Sequence, residues 1–234
     1  MTGEVVVECG GRAVSVAVRR SARARRMSLR IDPRLGPVVV LPPRASLAEA
    51  GRFVHAHQGW LAERLARLPE PIPLAPGAVV PILGIDHEIR HVPAARRGVW
   101  TDQGGLYVSG RAEHVPRRVV EHLKAEAKRR IYAHAFALAA RIGRTPCRVT
   151  VRDTRSRWGS CSSRGDLSFS WRLVLAPESV LAYVVAHEVA HLAELNHSAA
   201  FWRVVAGLAG DPRPAKAWLA RHGAGLHRYG GGPP

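Results

Sequence analysis

An α+β chain, with a β-rich N-terminal module ahead of a helix-rich C-terminal half, is predicted by three observations. Apolar and polar residues alternate through most of the first forty positions, the period of half-buried strands. Residues 117–142 form an Ala-rich, basic segment with no internal Gly or Pro, which suits one long helix. A second uninterrupted run, 177–195, is apolar on most sides, as a buried helix is.

The elements follow in order. Val5 to Val7, then Val14, Val16 and Val18, then Met27, Leu29 and Ile31, then Val38 to Val40 are punctuated by Gly10-Gly11, Asp32-Pro33 and Pro42-Pro43, which suggests a small antiparallel sheet. Ser46 and Glu49 have the spacing of a capping box. Phe53, Val54, Trp60, Leu61, Leu65 and Leu68 then fit one face of a single helix over about 46–68, ended by Pro69, Pro71 and Pro73. Short strands are expected at 79–83, 85–92 and 106–108. The long helix places Val119, Leu123, Ile131, Phe136 and Leu138 among its apolar positions, and Gly143 suits its C-terminal cap. A strand at 147–152, a Gly/Ser-rich turn, a strand near 167–171, a helix opening at Pro177 and two shorter helices at 199–208 and 214–221 complete the chain. The module is expected to span 1–110 and the second domain 111–234.

Composition narrows the classes. With 234 residues, 47% of them hydrophobic and 23% charged, the chain is long enough to bury a core and is not compositionally disordered. Cys9, Cys147 and Cys161 are too few and too scattered for a disulfide framework or a paired-cysteine zinc site. Neither a leader-like N-terminus nor a membrane-length apolar run is present, so a cytoplasmic protein without a membrane partner is expected. The formal charge of +17 comes from 35 basic against 18 acidic residues, and only Lys124, Lys128 and Lys216 are lysine. Such a charge predisposes a protein to polyanions.

The pattern H-E-x-x-H occurs twice, as His87-Glu88-Ile89-Arg90-His91 and as His187-Glu188-Val189-Ala190-His191. The pattern works on a helix, where residues four apart share a face and can hold one metal ion while the glutamate serves a water. The first copy lies between Pro81 and Pro93, directly after Gly84, and alternates like a strand. On a strand its histidines stand about 13 Å apart and cannot share an ion. The second copy lies in the apolar 177–195 run, where His187, Glu188 and His191 fall within a sector of about 100°. Buried imidazoles and a carboxylate are costly unless something satisfies them, and a divalent metal does so.

A third ligand is needed to leave one position open for water. His197 follows His191 by six residues, but on a continuous helix it would stand about 9 Å farther along the axis. The helix is therefore expected to stop near Leu195, with Asn196 reversing the chain in a left-handed conformation. Asp211 is the rival third ligand. Cys161, isolated in a turn, reads as a small packed residue rather than a nucleophile.

Together, Arg157-Trp158-Gly159-Ser160-Cys161, Leu167-Ser168-Phe169-Ser170-Trp171-Arg172, Leu175-Ala176-Pro177, Tyr183-Val184-Val185-Ala186-His187-Glu188 and His191-Leu192 through Asn196-His197-Ser198 to Phe201-Trp202 resemble the YgjP-like zinc metallopeptidase family. The resemblance covers about residues 145–203, and the SprT/Spartan and Wss-type proteases share the central motif. It implies a zincin-like catalytic domain, an active-site helix packed on a twisted sheet, with Zn2+ on His187, His191 and His197 and Glu188 as general base. The expected reaction is hydrolysis of a peptide bond in a protein or peptide substrate, through a zinc-activated water.

The strand of Leu167, Ser168, Phe169, Ser170 and Trp171 is expected to pair with an extended substrate. Arg157, Arg172, His222 and Tyr229 are candidate donors to a developing oxyanion. The competing class is a nucleic-acid-associated protein with a structural zinc, or a protease recruited to DNA. Its feature is the run Arg19, Arg20, Arg23, Arg25, Arg26, Arg30 and Arg34, which could contact phosphates.

Overall fold

The computed structural model describes residues 3–32, 36–66, 71–154 and 157–230. Pro33, Arg34, Leu68 and Pro69 lie outside the described residues. Alternation in the first forty positions builds four strands, β1 (Gly3–Cys9), β2 (Arg12–Arg20), β3 (Ser28–Asp32) and β4 (Gly36–Leu41), in the order β1-β2-β4-β3. The sheet is mixed rather than wholly antiparallel, because β2 and β4 pair in parallel. Two helices follow, α1 (Leu47–Ala56) and α2 (Gln58–Ala66). Ser46 and Glu49 make the expected capping box, but the single expected helix breaks at His57, whose ring bonds back to the Phe53 carbonyl at 2.8 Å. Val7, Val16, Val18, Val39, Leu41, Ala50, Val54 and Leu61 form the core of this part.

The chain divides into two compact units, one within residues 1–70 and the other Pro71–Gly230. The second unit opens with β5 (Val79–Ile82), β6 (Ile85–His91), β7 (Val99–Asp102) and β8 (Gly105–Val108), ordered β5-β6-β8-β7. These strands fall in the second unit, rather than in a module ending near residue 110. Their buried residues Val80, Ile89, Leu106 and Val108 share one core with Val115 and Val119 of the long helix α3 (Val115–Arg141). The edge strand β7 has no counterpart among the expected elements.

Helix α3 buries Val115, Val119, Leu123, Ala127, Ile131, Ala135 and Ala139. This four-residue spacing aligns one ridge for packing. Gly143 ends it at φ +64°, a left-handed turn that a side chain would strain. Next come β9 (Arg148–Arg152), β10 (Gly159–Cys161) and β11 (Asp166–Ser170), in the order β10-β11-β9. A 3-10 turn, Trp171–Leu175, leads into α4 (Glu178–Ala190), α5 (Ala199–Ala209) and α6 (Arg213–Leu226). Helix α4 buries Val180, Leu181, Val184, Val185, Ala186, Val189 and Ala190 and packs on α3, β10 and β11. No described helix is long and apolar enough to cross a membrane.

Candidate metal centre

The last turn of α4 carries His187 and Glu188, and His191 is its C-terminal cap. The helix ends sooner than expected. Leu192 N–H donates to the Val189 carbonyl and Ala193 N–H to that of Ala190, at 2.9 and 3.0 Å, so the last bonds tighten to a three-residue span. The positive-φ residues other than glycine, among those described, are Leu83 and Gln103. Asn196 is therefore not left-handed, and turns over His191–Ala193 and bends at Leu195 and Asn196 reverse the chain instead. Ser198 then caps α5 by accepting from the Phe201 amide, which holds His197 just outside the new helix.

That reversal brings His187, His191 and His197 together, with one ring nitrogen from each within 4.8 Å of the others. The Nε2 atoms of His187 and His197 are 3.1 Å apart. Two nitrogens on a tetrahedral zinc, each at about 2.0–2.1 Å from the ion, stand about 3.3 Å apart. His191 Nδ1 lies 3.0 Å from the Glu194 carbonyl, an acceptor that puts the proton on Nδ1 and leaves the Nε2 lone pair free. Phe201, fully buried, floors the cluster with ring centroids 5.0, 4.5 and 4.6 Å from His187, His191 and His197. Trp202 flanks His187 and His197 at 5.8 Å from each.

Burial, with the neighbouring His191, His197 and Lys216, drives the His187 imidazole down to about 4. Burial also lowers His191, against the hydrogen bond to Glu194. His187 is thus neutral at pH 7, the form that ligates a metal. Its Nδ1 is buried without a hydrogen-bond partner. Three imidazoles are also a donor set suited to zinc. The residues therefore fit a zinc ion.

Glu188 is buried beside them, and burial pushes its carboxyl up to about 7 against the opposing charge of Arg157. Gly159 of β10 makes room for it. A Cβ at Gly159 would stand 2.5 Å from Glu188 Cγ and 2.7 Å from Oε1, closer than any real contact, so an edge strand lies directly on the carboxylate. No glycine-specific backbone angle marks this position; the requirement is space alone. Cys161, two residues on, has its thiol pushed up to about 11 by burial and the charges of Glu188 and Asp166, which keeps it an unreactive packed residue.

Other expected residues stand elsewhere. His87 and His91 lie along β6, His87 bonded to the Ile85 carbonyl and His91 to that of Gly110. Asp211 is tied to the Arg213 backbone and guanidinium at 2.8–3.0 Å, so it is not the third member of the cluster. The expected substrate strand is corrected too. Leu167, Ser168, Phe169 and Ser170 belong to β11, whose two sides pair with β9 and β10, and Trp171 has left the strand for the 3-10 turn. Neither side of β11 can take a further strand. Arg172 is fully buried against Asp153 and the Tyr229 carbonyl, and the Tyr229 backbone bridges to Ile72. Of the arginine run, Arg20 binds the Pro43 and Ala45 carbonyls at 3.0 and 2.6 Å, a structural clamp within its own unit.

A family model described as YgjP-like, metallopeptidase domain, matches residues 25–222. Among solved structures the chain is similar to the metallopeptidase zymogen abylysin of Pyrococcus abyssi, with 25% identity and a TM-score of 0.35, over 44% of this chain and 96% of that one. No curated protein matches it.

Proposed function

Since the chain belongs to the YgjP-like metallopeptidase family, we propose that it hydrolyses peptide bonds with zinc held by His187, His191 and His197 and with Glu188 as general base. The observation that carries this reading is the convergence of three imidazoles beside a buried glutamate, on a helix end and a returning loop. We read α4 against the β10-β11-β9 sheet as a zincin-like arrangement.

When bound, zinc supplies a Lewis acid that acidifies water and polarises the scissile carbonyl. Glu188 takes the proton of the attacking water and passes it to the leaving nitrogen. A carboxyl drawn up to about 7 both accepts and releases a proton near neutral pH, which suits that double role. Arg157 favours its ionised form. The substrate strand moves from β11 to β10, which has a paired neighbour on one side only among the described strands. Backbone pairing there sets an extended peptide beside Glu188 and leaves side-chain preference to other contacts.

A structural-zinc reading calls for a fourth protein ligand, and the group that could hold a metal among the described residues has three. The deciding experiment measures zinc content and hydrolysis of an unfolded protein by wild type, His187→Ala and Glu188→Gln. Zinc in wild type and Glu188→Gln but not in His187→Ala, with turnover in wild type alone, is expected. Equal turnover by Glu188→Gln removes the general base from the mechanism.

A further inference from the structure

Lys216 is one of three lysines among 35 basic residues. On α6 its ammonium lies 4.4 Å from the centre of the Trp202 ring, and that ring is 5.8 Å from the imidazoles of His187 and His197. The Nζ atom is therefore no farther than about 10 Å from either imidazole. A peptide advances about 3.3–3.6 Å per residue, so the ammonium stands within about three residues of a bond undergoing hydrolysis. The indole face holds the ammonium by cation–π attraction. The nearby carboxylate in sequence, Asp211, is already occupied by Arg213, and no described carboxylate pairs with Lys216. Its charge is felt at His187.

We propose that Lys216, positioned by Trp202, is a specificity determinant that receives a substrate carboxylate within about three residues of the scissile bond. This rests on the peptidase reading. The carboxylate comes either from an acidic side chain or from the terminus of the chain being cleaved, and both sources present the same planar anion. A compact ammonium with no carboxylate partner among the described residues is a point charge for such a group, and the Trp202 contact limits the side-chain freedom lost on binding.

The test uses the zinc-loaded protein carrying Glu188→Gln, so that binding is read without turnover. Calorimetry compares matched peptides with Glu or Gln scanned across positions, each with a free or an amidated C-terminus. Tighter binding of one carboxylate-bearing class, by about fivefold, is expected. Lys216→Met should abolish that ratio, and Lys216→Glu should transfer the preference to Lys-bearing peptides. Lys216 is exposed, and thermal melts check that both variants fold. Equal binding of all peptides, no binding of any, or a ratio that survives Lys216→Met overturns the proposal. Hydrolysis by the parent protein with native Glu188 is scored separately. Lys216-dependent binding without cleavage overturns the peptidase reading, and with it the placement relative to a scissile bond, while leaving Lys216 as a carboxylate-binding residue; cleavage without the Lys216 dependence overturns this inference alone.

Discussion

His87-Glu88-Ile89-Arg90-His91 runs along β6, where His87 and His91 bond to separate backbone carbonyls and Glu88 pairs with Arg90 at 2.9 Å. His187-Glu188-Val189-Ala190-His191 closes α4, where two imidazoles meet a third and Glu188 is buried against a strand. The same five-residue pattern yields the polar face of an inner strand, paired with β5 and β8, in one place and a candidate hydrolytic centre in the other. Backbone rise separates them. A strand spreads the two histidines about 13 Å apart, whereas a helix gathers them on one face. Burial then does the rest: Glu188 has lost the water that would stabilise its charge, and its carboxyl is pushed up to about 7.

Matched substitutions at the two copies sharpen the contrast. The largest effect is expected for His187→Ala, which should lose both zinc and all measurable hydrolysis, while His87→Ala keeps both; metal analysis and a peptidase assay read this out. Next, Glu188→Gln should retain zinc and lower kcat by about 10²–10⁴, against no change for Glu88→Gln. A comparable loss at Glu88 would break the distinction.

Gly159→Ala is expected to cost less, about tenfold to a hundredfold in kcat with zinc retained, since the added methyl displaces the Glu188 side chain rather than a ligand. Wild-type kcat in that variant would mean the β10 contact does not position Glu188. The smallest effect concerns stability. Glu188 has a folded value raised to about 7 from 4.5, so the fold disfavours its ionised form. Metal-free wild type should therefore lose stability relative to Glu188→Gln as pH rises from about 4.5 through 7, by up to about 3 kcal/mol. Urea melts in chelator at pH 5 and pH 8 measure the gap; a gap that does not widen contradicts the burial of the carboxyl.

Periodicity and punctuation made the α+β class, the long α3 and the helical copy of the motif legible before any coordinates, because these features are local. Ser46 with Glu49 and Gly143 were readable for the same reason. The break at His57 was not, because the apolar face runs through it from Phe53 and Val54 to Leu61 and Leu65, whereas β7 does carry a local strand signal, Val99-Trp100-Thr101 between Gly98 and Gly104-Gly105, that the expected elements omit. The division near residue 70 escaped because strand content says nothing about which core the strands join. Gly159 and Phe201 belong to the motifs that carry the family resemblance, but what each does there, leaving room for Glu188 and flooring the three imidazoles, comes only from their neighbours.

The sequence by itself therefore determined which histidines and which glutamate could act together, through the 3.6-residue period that puts His187, Glu188 and His191 in one sector. Tertiary structure alone decided how His197 returns to them, by ending α4 at Ala190 and turning over His191–Ala193 without a left-handed Asn196. It also decided that β11 is central and β10 marginal. Ligand spacing along a helix is a property of the covalent chain and its hydrogen bonds, whereas chain reversal, strand order and burial depend on what every other segment packs against.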